Sequence, residues 1–274
     1  MKELIKAYRF LNLISIDVAF GAVVCAAFFS SIFSVQLRLY GLAALGLSVW
    51  IIYTLDHLMD ARRMKHAAFT ERHQFHQEHQ KLMAILVLIA CLIDVYLVLH
   101  IRKPVFGWGL GLASLVMFYL LLQRWLNPFK EIVASFLYCS GVLLPTLSLT
   151  TGLITTSLII LLIIFLITAL INLILFSMFD FEKDIRQTQS SLVIAFGKEK
   201  SKFIITALFL IQMVLLTSLS LTTNYRPEAL ILGLMNFVLG TIFIFSRYLK
   251  KGDSYRMLGD VIFLFPVPYL IVNG

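Results

Sequence analysis

An all-α integral membrane bundle of nine transmembrane helices is the fold class this chain predicts, on three observations: its composition, the length of its apolar runs and the placement of its basic residues. Of 274 residues, 60% are hydrophobic and 14% charged, and the mean hydropathy is +0.91, outside the range of soluble globular domains. The apolar runs reach the roughly 20 residues that a bilayer core asks of a helix. With no water in the hydrocarbon, each run must satisfy its own backbone, and runs of this length do so as helices.

In chain order the predicted spans cover residues 11–35, 39–55, 82–99, 105–122, 132–149, 153–179, 203–221, 229–245 and 257–272. The first follows a basic segment and is too long for the apolar core of a signal peptide; it also lacks a convincing small-x-small cleavage site, so it reads as a retained span. The second and sixth each end in a polar segment, 56–81 and 180–202. With the N-terminus inside, the outer loops carry only Arg38, Arg102, Lys103 and Arg226 of the 23 basic residues. That bias supports the span count and places the N-terminus and both polar segments in the cytoplasm, as in a multi-pass protein of the plasma membrane or a bacterial inner membrane. The formal charge of +8 is then a topological signal and a face toward anionic lipid, with membrane lipids and no nucleic acid as partners. Cys25, Cys91 and Cys139 fall in three different spans and read as small apolar core residues. No linker or low-complexity stretch divides the chain, which predicts a single transmembrane domain over 1–274.

Function is read first from two aspartate pairs, Asp56/Asp60 and Asp180/Asp184, each four residues apart where an apolar run breaks. On a helix that spacing presents two carboxylates from one face, about a turn apart. Carboxylates at membrane depth are expensive and tend to be functional. Two such pairs facing each other across a bundle suit Mg²⁺, which takes a few carboxylates and completes its octahedron with water and phosphate oxygens. A diphosphate is the natural bridging ligand. The bland alternative is a pair of solvated helix ends held by neighbouring basic residues.

The residues resemble the UbiA-type family of intramembrane prenyltransferases. Asp180, Asp184, Thr188, Ser191 and then Phe196-Gly197 follow the family's second aspartate motif, with Thr188 in the place of a glycine, and Asn172 stands where a polar cavity residue is common. The first motif is shorter than the family's: Ile52 and Tyr53 occupy the places of an Asn-Asp, leaving Asp56 and Asp60. Arg72-His73-Gln74 partly echoes an Arg-Pro-Leu, and Asn127-Pro128-Phe129-Lys130 a Tyr-Pro-x-x-Lys-Arg, with Arg124 a substitute for Lys130. The resemblance implies Mg²⁺-dependent transfer of an isoprenoid group from a polyprenyl diphosphate to an aromatic or lipid acceptor. Asp56, Asp60, Asp180 and Asp184 would hold the metal, Arg72, Lys130, Lys183 and Arg186 the diphosphate, and Tyr53 and Asn172 would line the cavity. Positive-inside anchoring is the plain alternative for each basic residue.

Three rival readings remain open at the level of sequence. A UbiA-like homologue can bind isoprenoid or lipid phosphate without transfer. A di-iron enzyme is suggested by His57, His66, His73, His76 and His79, which crowd one segment, although His73, His76 and His79 drift around a helix. A transporter is suggested by Asp17 and Asp94 within predicted spans, with Asp260 near the start of the last; it requires Asp17 or Asp94 in a midplane cavity. The prenyltransferase reading requires the two aspartate pairs to share one cavity.

Overall fold

The computed structural model describes residues 2–63, 71–123, 125–126, 128–186, 190–222, 224–249 and 253–273. In chain order the helices are α1 (Lys2–Leu13), α2 (Ile16–Ile32), α3 (Leu39–Arg63), α4 (Glu71–Glu78), α5 (Gln80–Val98), α6 (Lys103–Leu122), α7 (Lys130–Leu147), α8 (Thr156–Arg186), α9 (Leu192–Phe196), α10 (Lys198–Thr222), α11 (Arg226–Ile244), α12 (Ser246–Leu249), α13 (Ser254–Val261), a 3₁₀ turn at Ile262–Leu264 and α14 (Val267–Asn273). There is no strand among the described residues. Eight helical segments are long and apolar enough to cross a membrane, and counting the bent α1–α2 pair as one more gives nine.

Two predicted spans are not straight helices. The span 11–35 straddles the junction of α1 and α2, where the chain turns by 84°. The corner is Ser15, fully buried and in the left-handed region at φ 59°, a conformation uncommon outside glycine. The indole nitrogen of Trp50 donates to the Ile14 carbonyl at 2.9 Å and holds the corner in place. As a result α1 crosses the foot of the bundle and touches α2, α4 and α13 instead of prolonging α2. The last span, 257–272, is interrupted between α13 and α14 at Pro266, with Pro268 beyond it; a proline removes a ladder donor and crowds the preceding turn.

The core is organised around α8, which packs against α7, α9, α10, α11 and α13. Its 31 residues rise about 46 Å, longer than a hydrocarbon core of about 30 Å, so its polar end continues as helix past the apolar part. Leu161, Ile164, Phe165, Ile171 and Ile174 are fully buried along it, and Phe165 meets Phe29 and Phe263 edge to face at 5.0 and 6.1 Å. Gln212 of α10 donates to the Ile164 carbonyl and to Thr168, at 3.0 and 2.9 Å. Asn236 of α11 reaches the same threonine at 3.3 Å. Such hydrogen bonds join helices where lipid gives no hydrophobic drive for association. Close backbone approach sets the α8–α13 crossing: a Cβ at Gly259 would fall 2.6 Å from the Phe176 ring. By contrast α5 and α6 lie at the periphery, with Leu88, Leu92, Trp108 and Phe118 exposed.

Candidate active site

Both aspartate pairs open on one cavity of about 210 Å³. From α3 it receives Tyr53, Asp56, His57 and Asp60; from α8 it receives Ala169, Asn172, Leu173, Phe176, Ser177, Asp180 and Asp184. The α8 positions recur every three or four residues, a single helical face. That face survives into the polar segment because α8 stays helical to Arg186.

Asp180 is the most heavily engaged carboxylate. Buried at 3% exposure, it accepts the Tyr255 hydroxyl at 2.7 Å, is bound by the Arg256 guanidinium, and lies 3.4 Å from the Lys183 ammonium. The Tyr255 ring stacks on Phe179 at 4.1 Å, and Arg256 lies over the Phe176 ring at 5.3 Å. Both contacts fix the donors that face Asp180. Lys183 turns to the flank, where it also binds Asp253 at 3.2 Å. Neither Lys183 nor Arg186 lines the cavity, whereas Lys130 and Arg72 do. On α3, Asp56 accepts from the Gln123 amide at 2.9 Å.

Arg72 is built into a buried network rather than extended into open space. Its guanidinium donates to the Asn12 carbonyl and side-chain oxygen at 2.8 and 3.0 Å and stands 3.5 Å from Asp260. The Asn12 amide bridges Asp17 and Asp260 at 2.6 and 2.8 Å, and the Tyr8 hydroxyl donates to Asp17 at 3.1 Å. Asp17 thus ties α2 to the bent N-terminal helix through Tyr8 and Asn12, and Asn12 carries the link on to Arg72 of α4 and Asp260 of α13; Asp17 is not in the lining of the cavity that holds the aspartate pairs.

Sequence reasoning missed Glu131 and Arg256. Glu131, buried next to Lys130, accepts from the Ser177 hydroxyl at 2.7 Å and from the Leu192 amide at 3.1 Å. It thereby anchors the chain that follows α8. Two residues of the second motif complete that anchor: Ser191 caps α9 by accepting from the Ile194 amide, and Gly197 supplies a φ of 84° where α9 ends. Thr188, His66, Arg124 and Asn127 lie outside the described residues. The available signal for Arg256 was its four-residue spacing from Asp260 at the head of the last span, which positive-inside bias disguised as an anchor.

The cavity lining carries six carboxylates, Asp56, Asp60, Glu131, Asp180, Asp184 and Asp260, against three permanent cations, Arg72, Lys130 and Arg256. An acidic excess of hard oxygen donors suits a divalent cation such as Mg²⁺, which then makes room for an anionic ligand. Among the described residues, no three His, Cys, Asp or Glu side chains converge as a ready-made ligand set. A cation shared between separate carboxylates and phosphate oxygens needs no such set, unlike a protein-only histidine centre. His76 and His79 make other contacts. His76 is fully buried, its Nδ1 faces the Arg72 carbonyl at 2.8 Å, and its ring packs on His57 with centroids 5.2 Å apart. Burial holds the His76 imidazole below its ordinary pKa, the backbone hydrogen bond acting in the opposite sense. His79 stacks on Phe75 at 4.4 Å.

A second, apolar chamber of about 440 Å³ adjoins the first, walled by α3, α5, α6 and α7. The two share Tyr53, Asp56, Tyr119, Ala134, Tyr138 and Leu173. An acidic cavity therefore abuts an apolar one, and three tyrosines and one aspartate stand at their shared wall. Asp94 lines the apolar chamber, hydrogen-bonded by Ser48 at 2.7 Å.

No family model matches the sequence, and no curated protein matches it. Solved structures match the fold. A UbiA homologue from Archaeoglobus fulgidus bound to DMAPP and Mg²⁺ superposes with a TM-score of 0.66 at 12% identity, covering 96% of this chain and 99% of that one. A UbiA homologue from Archaeoglobus fulgidus bound to GPP and Mg²⁺ gives 0.65 at 13%, with 96% and 99% covered. A digeranylgeranylglyceryl phosphate synthase gives 0.56 at 17%, covering 100% of this chain and 99% of that one. The chain has the UbiA fold over essentially its whole length.

Proposed function

We propose that this chain is a divergent UbiA-type membrane prenyltransferase, moving an isoprenoid group from a polyprenyl diphosphate to an electron-rich, aromatic acceptor with Mg²⁺ at the aspartates. The observation that carries the reading is that two carboxylate pairs far apart in sequence line one cavity that adjoins an apolar chamber. A ligand with an anionic head and a hydrocarbon tail has the shape and polarity of that pair of spaces. The solved structures of the same fold bound to prenyl diphosphates and Mg²⁺ support it. The distribution of basic residues puts the aspartate mouth on the cytoplasmic side.

Asp56, Asp60, Asp180 and Asp184 would hold Mg²⁺, which when bound neutralises the diphosphate and improves it as a leaving group. Lys130 and Arg256 line the cavity and are the cations placed to meet diphosphate oxygens. Arg256 would trade its contact with Asp180 for the diphosphate. The C–O bond then breaks with its electron pair leaving on the diphosphate, and the allylic cation faces Tyr53, Tyr119 and Tyr138 at the junction. The acceptor's electron pair forms the new bond, and the acceptor sheds a proton. Arg72, held by Asn12 and Asp260, ties α4 to α1 and α13, and Lys183 and Arg186 act from the flank.

The test is incubation of membranes containing the full chain with labelled prenyl diphosphates and Mg²⁺. Mg²⁺-dependent diphosphate release is expected, and Asp184→Ala should lower it by about 10²-fold or more. Release unchanged by that substitution would sink the mechanism. A second reading, binding without transfer, is favoured by one observation: Ile52 and Tyr53 stand where the family's first motif carries Asn-Asp. Tight Mg²⁺-dependent binding of the intact diphosphate without release would select it.

A further inference from the structure

The apolar chamber contains a polar pair that the proposed reaction does not use. Ser48 lies eight residues before Asp56 on α3, about 12 Å farther from the aspartate mouth at 1.5 Å per residue. Its hydroxyl donates to Asp94 Oδ2 at 2.7 Å. The other carboxyl oxygen, Oδ1, is buried and has no hydrogen-bond partner among the described residues. Around the pair the lining is Leu45, Val49, Val98, Ile101 and Val105.

A helix contact does not require this arrangement. The α3–α5 interface already has its own apolar cluster of Ile51, Leu58, Met83, Val87 and Ala90. A carboxyl oxygen left unpaired in an apolar space costs free energy that an apolar side chain at this position would avoid. A plain isoprenoid tail cannot recover that cost, because hydrocarbon donates no hydrogen bond. A tail bearing an O–H or N–H at that depth can.

We propose that Asp94 and Ser48 are a specificity-determining pair that recognises a hydroxyl or other hydrogen-bond donor carried by the ligand's tail, about 12 Å from the end seated at the aspartates. The inference rests on the reading of the chamber as a tail site. The occupant is then an oxygenated isoprenoid or similar amphiphile, polar at both ends and apolar between.

The test uses two matched pairs on the full chain in nanodiscs, followed by titration calorimetry: geranyl diphosphate against 8-hydroxygeranyl diphosphate with Mg²⁺, and geraniol against 8-hydroxygeraniol without metal. The hydroxylated member of each pair should bind at least about fivefold tighter. Asp94→Leu should abolish or invert that ratio, and Ser48→Ala should reduce it. Thermal midpoints are recorded alongside; if Asp94→Leu fails to fold, Asp94→Asn and Ser48→Ala carry the comparison. A brace between helices would shift the midpoint and leave the ratio unchanged, which overturns the proposal. So would equal binding within both pairs, or no binding of any of the four. A hydroxyl preference among the alcohols without any diphosphate binding would uphold the tail site and remove the prenyl diphosphate reading.

Discussion

The two aspartate-bearing helix ends face the same cavity but sit in different surroundings. At the end of α8, Asp180 is closed in by Tyr255, Arg256 and Lys183, and Glu131 pins the chain that follows. At the end of α3, Asp56 has a neutral donor, Gln123, and lies at the junction of the polar and apolar spaces. On the proposed reading the contrast assigns different work to the two ends. The α8 end would serve as a charge-organised platform for a cation and an anionic head group. The α3 end would mark the seam where head meets tail, and so where a bond between them would break.

The largest effect expected from disturbing this contrast is on stability. Asp180→Ala leaves the part-buried Arg256 without its main partner and should cost up to about 3 kcal/mol, besides removing turnover. Asp56→Ala removes the acceptor of the Gln123 amide and should cost less, about 1 kcal/mol for that hydrogen bond. Chemical denaturation of both variants in the same detergent checks the difference; equal losses would contradict the asymmetry.

Next in size is the effect on substrate. Arg256→Gln retains some hydrogen-bonding capacity but removes the charge, and is expected to weaken prenyl diphosphate binding by about tenfold while the neutral alcohols bind as before. Calorimetry on both ligand types reads this out. Weakening of both alike would mean that Arg256 only braces Asp180.

The asymmetry can also be reduced. Tyr53→Asp adds a third carboxylate to the α3 face, one turn before Asp56, and should lower the Mg²⁺ concentration that half-saturates diphosphate binding by severalfold. An unchanged or higher requirement would show that the α3 end does not contribute to the cation.

The smallest effect concerns the cover on the α3 end. Burial depresses the His76 pKa below its ordinary 6.5, so the folded state prefers the neutral ring while the unfolded chain takes up a proton near 6.5. Stability from this group is complete above that value and declines as the pH falls toward the depressed value. His76→Phe should therefore flatten the fall in thermal midpoint between about pH 7.5 and 5.5. An identical pH slope in the variant would exclude His76 as its source.

Much of this architecture is legible in the sequence for a local reason. Crossing a bilayer requires a run of apolar residues with a self-satisfied backbone, a condition each stretch meets or fails by its own composition. Four-residue aspartate spacing on a continuous helix fixes that the two carboxylates share a face, and Asp56, Asp60, Asp180 and Asp184 all line the cavity. Asn172 and Tyr53 line it too.

What the sequence could not decide is which charges meet which. Asp180 and Arg256 are 76 residues apart, and nothing local distinguishes Arg256 from an anchoring arginine. Arg72 reaches Asn12 and Asp260 only because the chain turns by 84° at Ser15, against the usual preference of a serine for negative φ. Span number, helical class and the shared faces of the aspartates are thus determined by local composition and period. The clamped state of Asp180, the sewn-in Arg72 and the junction of acidic and apolar spaces are determined by packing, because electrostatic partners are chosen by distance in three dimensions and not by separation along the chain.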